Sequence, residues 1–158
     1  MIDRVVATDA TAPYRQLVAV DALGRTAVHS GERALCIVAA HQGDGAAAAG
    51  NMLATPEVPA ALVAGWAEAE GSVEERLLLA FAAAVAEGGE AGPVHSAGLT
   101  VVSGHGWRTT DLRVDWDDDP FAALSALVAA WLPQRDDYVT RAEDPAHSPG
   151  YGVPGDDR

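Results

Sequence analysis

The apolar positions of this chain change period part-way along it. Up to about residue 50 they mostly alternate, as in strands whose successive side chains face opposite sides of a sheet; beyond that they recur at helical spacing. The first residues are an exception. Ile2, Val5 and Val6 stand at i, i+3 and i+4 and predict a short amphipathic helix that ends at the breaker of residues 9–13. Residues 16–20 and 25–30 predict two strands around Asp21-Ala22-Leu23-Gly24, where aspartate opens the turn and glycine closes it. Residues 34–41 and 46–50 predict a second pair across Gln42-Gly43-Asp44-Gly45. The alanines at 46–49 pattern weakly, but small side chains suit close packing against another layer.

The change of period falls at Gly50-Asn51-Met52-Leu53-Ala54-Thr55-Pro56-Glu57-Val58. Thr55 ahead of Pro56 and Glu57 predicts a helix start: a hydroxyl to accept an orphan N–H, a proline that needs no donor, and a carboxylate at the positive dipole end. A strand therefore feeds a helix through a sharp corner. Residues 56–70 and 73–87 predict consecutive helices split at Gly71, with Ser72 and Glu75 as a capping box and Gly88-Gly89 as the stop. Leu77, Leu78, Leu79, Phe81 and Val85 leave the second helix little polar surface, which predicts that it is the more buried. Residues 96–103 and 109–116 predict a third strand pair joined by Gly104-His105-Gly106-Trp107. Asp119 before Pro120 predicts a helix over 121–132, stopped by Pro133. From Gln134 the chain is rich in Pro, Gly and Asp, with Tyr138, Val139, Tyr151 and Val153 as its few apolar anchors. Residues 134–158 are therefore expected to be an arm that drapes over the protein. The whole predicts an α+β domain with antiparallel sheet.

Composition narrows the chemistry. With 158 residues, 49% of them hydrophobic, the chain fits one domain with a modest core. Its net charge of -13 disfavours nucleic acid and anionic membrane surfaces, which need clustered Lys and Arg. All ten basic residues are arginine, which excludes Schiff-base chemistry and a P-loop lysine. No uninterrupted apolar run approaches the roughly 18 residues of a membrane span, and no leader-like pattern opens the sequence, so the expected location is cytoplasmic. Cys36, flanked by Leu35, Ile37 and Val38, is expected to be an inert core thiol. Without Cys-x-x-Cys or His-x-x-x-His, no metal or cofactor is expected. Asp115, Asp117, Asp118 and Asp119 lack EF-hand spacing, and three of them crowd a helix N-terminus that negative charge stabilises. Gly150-Tyr151-Gly152-Val153-Pro154-Gly155 satisfies G-x-G-x-x-G in letters only, since no strand precedes it and no helix follows.

The corner, read with Asp21-Ala22-Leu23-Gly24-Arg25, His29-Ser30-Gly31, His95-Ser96-Ala97-Gly98 and Asp111-Leu112-Arg113-Val114, resembles the DUF1028 family, which is placed among the N-terminal-nucleophile (Ntn) hydrolases. The tail, in Asp137-Tyr138-Val139-Thr140-Arg141 and Tyr151-Gly152-Val153-Pro154-Gly155-Asp156, resembles one subgroup of it. The resemblance implies an αββα sandwich of two antiparallel sheets between helical layers. Here the sandwich is expected to be incomplete, because the family's opening strands and helices have no counterpart. Residues 1–133 would be the C-terminal portion of that domain, with one layer missing or supplied by a partner, most simply in a homodimer. The uncapped helix at Met1 resembles the end of a longer one, as in a shortened protein or one whose start is placed too far downstream.

Ntn enzymes attack amide-type C–N bonds with a Thr, Ser or Cys at the mature N-terminus and use the free amino group as base. Here the sequence reads Met1-Ile2, and neither residue can attack a carbonyl. The one Gly-Ser junction, Gly71-Ser72, is better explained as a helix cap, so no catalytic residue is assigned. The pocket candidates are Asn51, Met52, His95 and Ser96. The Asn51 amide could donate to a carbonyl or a developing oxyanion, or it could simply satisfy a turn. His95 and Ser96 are neighbours on a strand and face opposite sides, so they cannot act as base and nucleophile together. In the family His95 is often replaced by Arg or Gln, which leaves it a polar lining residue or a surface histidine. The expected function is that of an uncharacterised DUF1028 protein without its nucleophile. The alternative is a non-catalytic module for small-molecule binding or assembly.

Overall fold

One carboxylate closes the first hairpin. In the computed structural model, which describes residues 2–155, Asp21 Oδ1 accepts from the backbone N–H groups of Leu23 (2.9 Å) and Arg25 (3.0 Å). Its Oδ2 accepts from Arg25 Nε at 2.6 Å. The Arg25 side chain first, and then its backbone N–H, hold the Asp21 carboxyl below the usual carboxylate range. The turn so fixed pairs β1 (Gln16–Val20) with β2 (Thr26–Ser30) in the register Val18 opposite Val28. The hairpin is the one expected.

The chain divides into two compact units, Met1–Val94 and His95–Arg158. In the first, α1 (Ile2–Val6) and a 3-10 turn (Ala12–Tyr14) precede the hairpin. A second hairpin follows, β3 (Ala39–Gly43) and β4 (Ala46–Gly50), with His41 opposite Ala48. Gln16 ties the two hairpins together, its Nε2 donating to Ser30 Oγ (2.9 Å) and to Gly50 O (3.0 Å). Helices α2 (Val58–Glu68) and α3 (Val73–Ala86) complete the unit. The alanines of β4 admit the close packing expected of them: α2 lies against β3 and β4, and Ala48 is buried. Leu53, Val58 and Ala84 form the core, with Ala39 and Leu62 against it.

In the second unit β5 (Ala97–Val102) pairs with β6 (Arg108–Val114), Leu99 opposite Leu112, and α4 (Pro120–Glu143) packs on both strands. Pro120, Leu124 and Val128 form its buried stripe, and Trp131 Nε1 donates to the buried Thr110 Oγ1 at 3.0 Å. The fold is thus α+β. Among the described residues its sheets are three separate antiparallel pairs.

Several local expectations are corrected. Pro133 does not stop α4, which continues to Glu143. Pro133 lies on the exposed side, so the carbonyl it leaves unpaired can meet water, and Gln134 Nε2 donates to Ala130 O at 2.7 Å. Across it Trp131 and Tyr138 pack on each other, with ring centroids 5.3 Å apart. The strand expected over 34–41 begins only at Ala39. Thr55 does not cap α2: the N-cap is Glu57, which makes no side-chain cap bond, and Thr55 Oγ1 is buried without a partner among the described residues. The capping box of Ser72 and Glu75 on α3 is present as expected. Yet α3 is not well covered: Val73, Leu79, Phe81 and Val85 are exposed, and it buries Glu74, Ala80 and Ala84 instead. Among the described residues no helix is long and apolar enough to cross a membrane.

Candidate functional site

Among the described residues two other than glycine hold left-handed backbone, Cys36 (φ 61°) and Met52 (φ 55°), and the fold sets them side by side. The chain leaves β4 at Gly50, where a Cβ would lie 2.7 Å from Leu53 Cδ2. Leu53 therefore folds back under the strand into the core while Asn51 and Met52 form the outer bend. Met52 N donates to Leu35 O (3.1 Å) and Leu53 N to Ile37 O (3.2 Å), so the loop carrying Cys36 is pinned to the corner. From the other side Ala91 N donates to Met52 O (2.8 Å) and Ala54 N to Gly89 O (2.9 Å). With the backbone so engaged, a left-handed turn at each residue is tolerated. Such conformations cost on the order of 1–2 kcal/mol for an ordinary side chain, and they cluster where a fold positions a functional group.

What the corner offers outward is polar and apolar at once. Asn51 is exposed, and its amide makes no hydrogen bond within the described residues. Met52, Leu35 and Ile37 are exposed around it. Cys36 is exposed too, contrary to the expected core thiol. The strand that would have buried it breaks off because the loop serves the corner's donors. The pair Cys36 and Met52 had no sequence signal, since neither residue type favours a positive φ. Glu74, almost wholly buried near the start of α3, had none either.

The other two candidates lie in the second unit. His95 clasps the start of β5 to the approach of α4: its carbonyl accepts from Asp117 N (2.9 Å), its Nδ1 lies 3.2 Å from Asp117 O, and its ring stacks on Trp116 at 4.2 Å. Ser96 is exposed. Asn51 and Met52 thus share one corner, His95 and Ser96 share one strand end, and the two pairs belong to different units. The acidic cluster is occupied locally. Asp115 pairs with Arg113 (2.8 Å), Asp117 Oδ1 accepts from Asp119 N (2.8 Å), and Asp119 Oδ1 caps α4 by accepting from Ala122 N (3.0 Å). Among the described residues no three His, Cys, Asp or Glu side chains are grouped to hold a metal ion. Among the described residues the glycines of 150–155 open no helix. That tail folds back instead, Arg141 donating to Pro149 O (2.8 Å) and lying over the Tyr151 ring.

Comparison with known proteins points to one family. Residues 1–124 match the family described as "Family of unknown function (DUF1028)". The chain is also similar to the crystal structure of protein SPO2555 from Silicibacter pomeroyi, itself assigned to DUF1028, at 30% identity and a TM-score of 0.76. That match covers 87% of this chain but only 59% of the other, so the chain spans about three-fifths of the length of that relative. No curated protein matches it.

Proposed function

This chain belongs to the DUF1028 family, whose function is unknown, and on that premise we propose that it is the rear portion of an Ntn-hydrolase-like αββα sandwich that binds an amide-containing small molecule without cleaving it. The strained corner carries the reading. Backbone energy is spent to hold the Asn51 amide outward with no internal partner, beside Met52, and a carboxamide is suited to meet the carbonyl of another amide. The layering of two hairpins under a helix pair supports the sandwich, and a relative with much more chain supports a form in which further elements complete it. The Ser72 hydroxyl is held in a cap, and the His95 ring faces Asp117 O and Trp116 rather than a nucleophile, so this reading assigns binding and no cleavage to these residues. The partners in this reading are the amide ligand and a second copy of the chain, in a cytoplasmic setting.

Titration of the isotopically labelled protein with N-acetylglycinamide tests it. The Asn51 side-chain N–H₂ and Met52 N–H resonances should shift with a dissociation constant on the order of 1 mM, the range open to so small a ligand. No free amine should be released, and Asn51→Ala should abolish the shifts. Unmoved Asn51 and Met52 resonances at saturating probe would sink the reading.

The strain makes its own prediction. Met52→Gly removes a left-handed penalty of about 1–2 kcal/mol and adds about 0.4–1 kcal/mol of unfolded-chain entropy. The variant should be more stable by up to about 1 kcal/mol in urea denaturation. A variant less stable than the parent would show that the Met52 side chain, not the corner's outward display, sets this conformation.

A further inference from the structure

We propose that the β1–β2 hairpin is an interface between two copies of this chain, centred on Val18, Val20 and Leu23. This names the surface for the pairing proposed above and is independent of what the Asn51 corner binds. Three observations meet at the hairpin. The first is its exposed side chains: Val18 is 49% exposed, Val20 50% and Leu23 78%. The second is its edge. Among the described residues neither strand forms a backbone ladder with a third, and Gln16-Leu17-Val18-Ala19-Val20 carries no charge and no proline, the devices that usually keep an open edge from pairing. A two-fold axis beside β1 sets it antiparallel to its copy, so that edge donors meet edge acceptors and valine meets valine.

The third observation decides between a second copy and some other cover. A chain of charge -13 repels its own copy everywhere that charge is displayed. Across residues 12–54, however, Arg15, Arg25 and Arg33 balance Asp21, Glu32 and Asp44, so the hairpin region is formally neutral and the negative charge lies outside it. The segment carrying the exposed apolar face of α3 lacks that balance, since residues 68–90 hold Glu68, Glu70, Glu74, Glu75, Glu87 and Glu90 against Arg76.

Sedimentation velocity and light scattering across a concentration series test this with the double variant Val18→Arg and Val20→Arg. Those changes lower the net negative charge, so weaker association could not come from added overall repulsion. The parent should be dimeric. The double variant should show a dissociation constant raised on the order of a hundredfold, with like charges forced into a desolvated contact. Val102→Arg, an exposed position on β5, should leave the dimer intact. Circular dichroism at low concentration separates loss of pairing from loss of fold, and amide exchange at Val18 and Val20 should slow as parent concentration rises. A monomeric parent, a double variant that stays dimeric, or exchange at β1 that ignores concentration would each overturn the proposal.

Discussion

Gly31→Ala should destabilise the first unit by about 3 kcal/mol, at the upper end of what an overpacked site costs. A Cβ at this position would lie 2.2 Å from Pro13 O and 2.4 Å from Ala12 O. Both are backbone atoms, and both are held: Arg33 N donates to Pro13 O at 2.7 Å, while Arg15 N and His29 Nε2 lie 3.0 Å and 3.1 Å from Ala12 O. Gly31 N itself donates to Arg15 O at 2.8 Å. A methyl group therefore cannot be accommodated by turning a side chain. The segment before β1 must move off the end of β2, breaking several of those bonds together. Urea denaturation followed by amide exchange along β1 and β2 would measure the loss. A change below about 1 kcal/mol would mean that the segment yields freely, which those hydrogen bonds argue against.

Leu124→Ala should cost the second unit about 3 kcal/mol, within the 2–5 kcal/mol seen when a large aliphatic side chain is removed from a core. Leu124 and Val128 are each only 2% exposed, and with Pro120 they supply the stripe by which α4 covers β5 and β6. Two strands and one helix have little else to close over the cavity. Fluorescence of Trp131, which is anchored to Thr110, reports this unit. Leu127→Ala, on the exposed side of the same helix, should change stability by less than about 0.5 kcal/mol. Equal losses from the two substitutions would show that helix propensity, rather than packing on the strands, holds α4 in place.

Much of the fold was legible in local chemistry. Asp21 and Gly24 marked the first hairpin, Ser72 with Glu75 marked the start of α3, and Asp119 with Pro120 marked the start of α4; each is an interaction among residues close in the chain. The misreadings share a different origin. Pro133 is a reliable breaker only if the helix has nothing further to pack, and Trp131 against Tyr138 supplied it with something. The apolar run at 34–38 read as strand, yet its carbonyls at Leu35 and Ile37 accept from Met52 and Leu53, residues distant in sequence. Of the candidate site, Asn51 and Met52 could be named from the change of period. The strained backbone of Met52 and an Asn51 amide without a partner among the described residues could not.

By itself the sequence determined the family, the antiparallel α+β character, the turns and caps, and an acidic chain without lysine, because these follow from residue identity and from contacts a few positions apart. Only the tertiary structure decided which backbone is strained, which apolar side chains stay uncovered and where β3 begins. Those outcomes depend on donors and acceptors brought together by folding, and no local pattern encodes the free energy of a hydrogen bond whose partner lies many residues away.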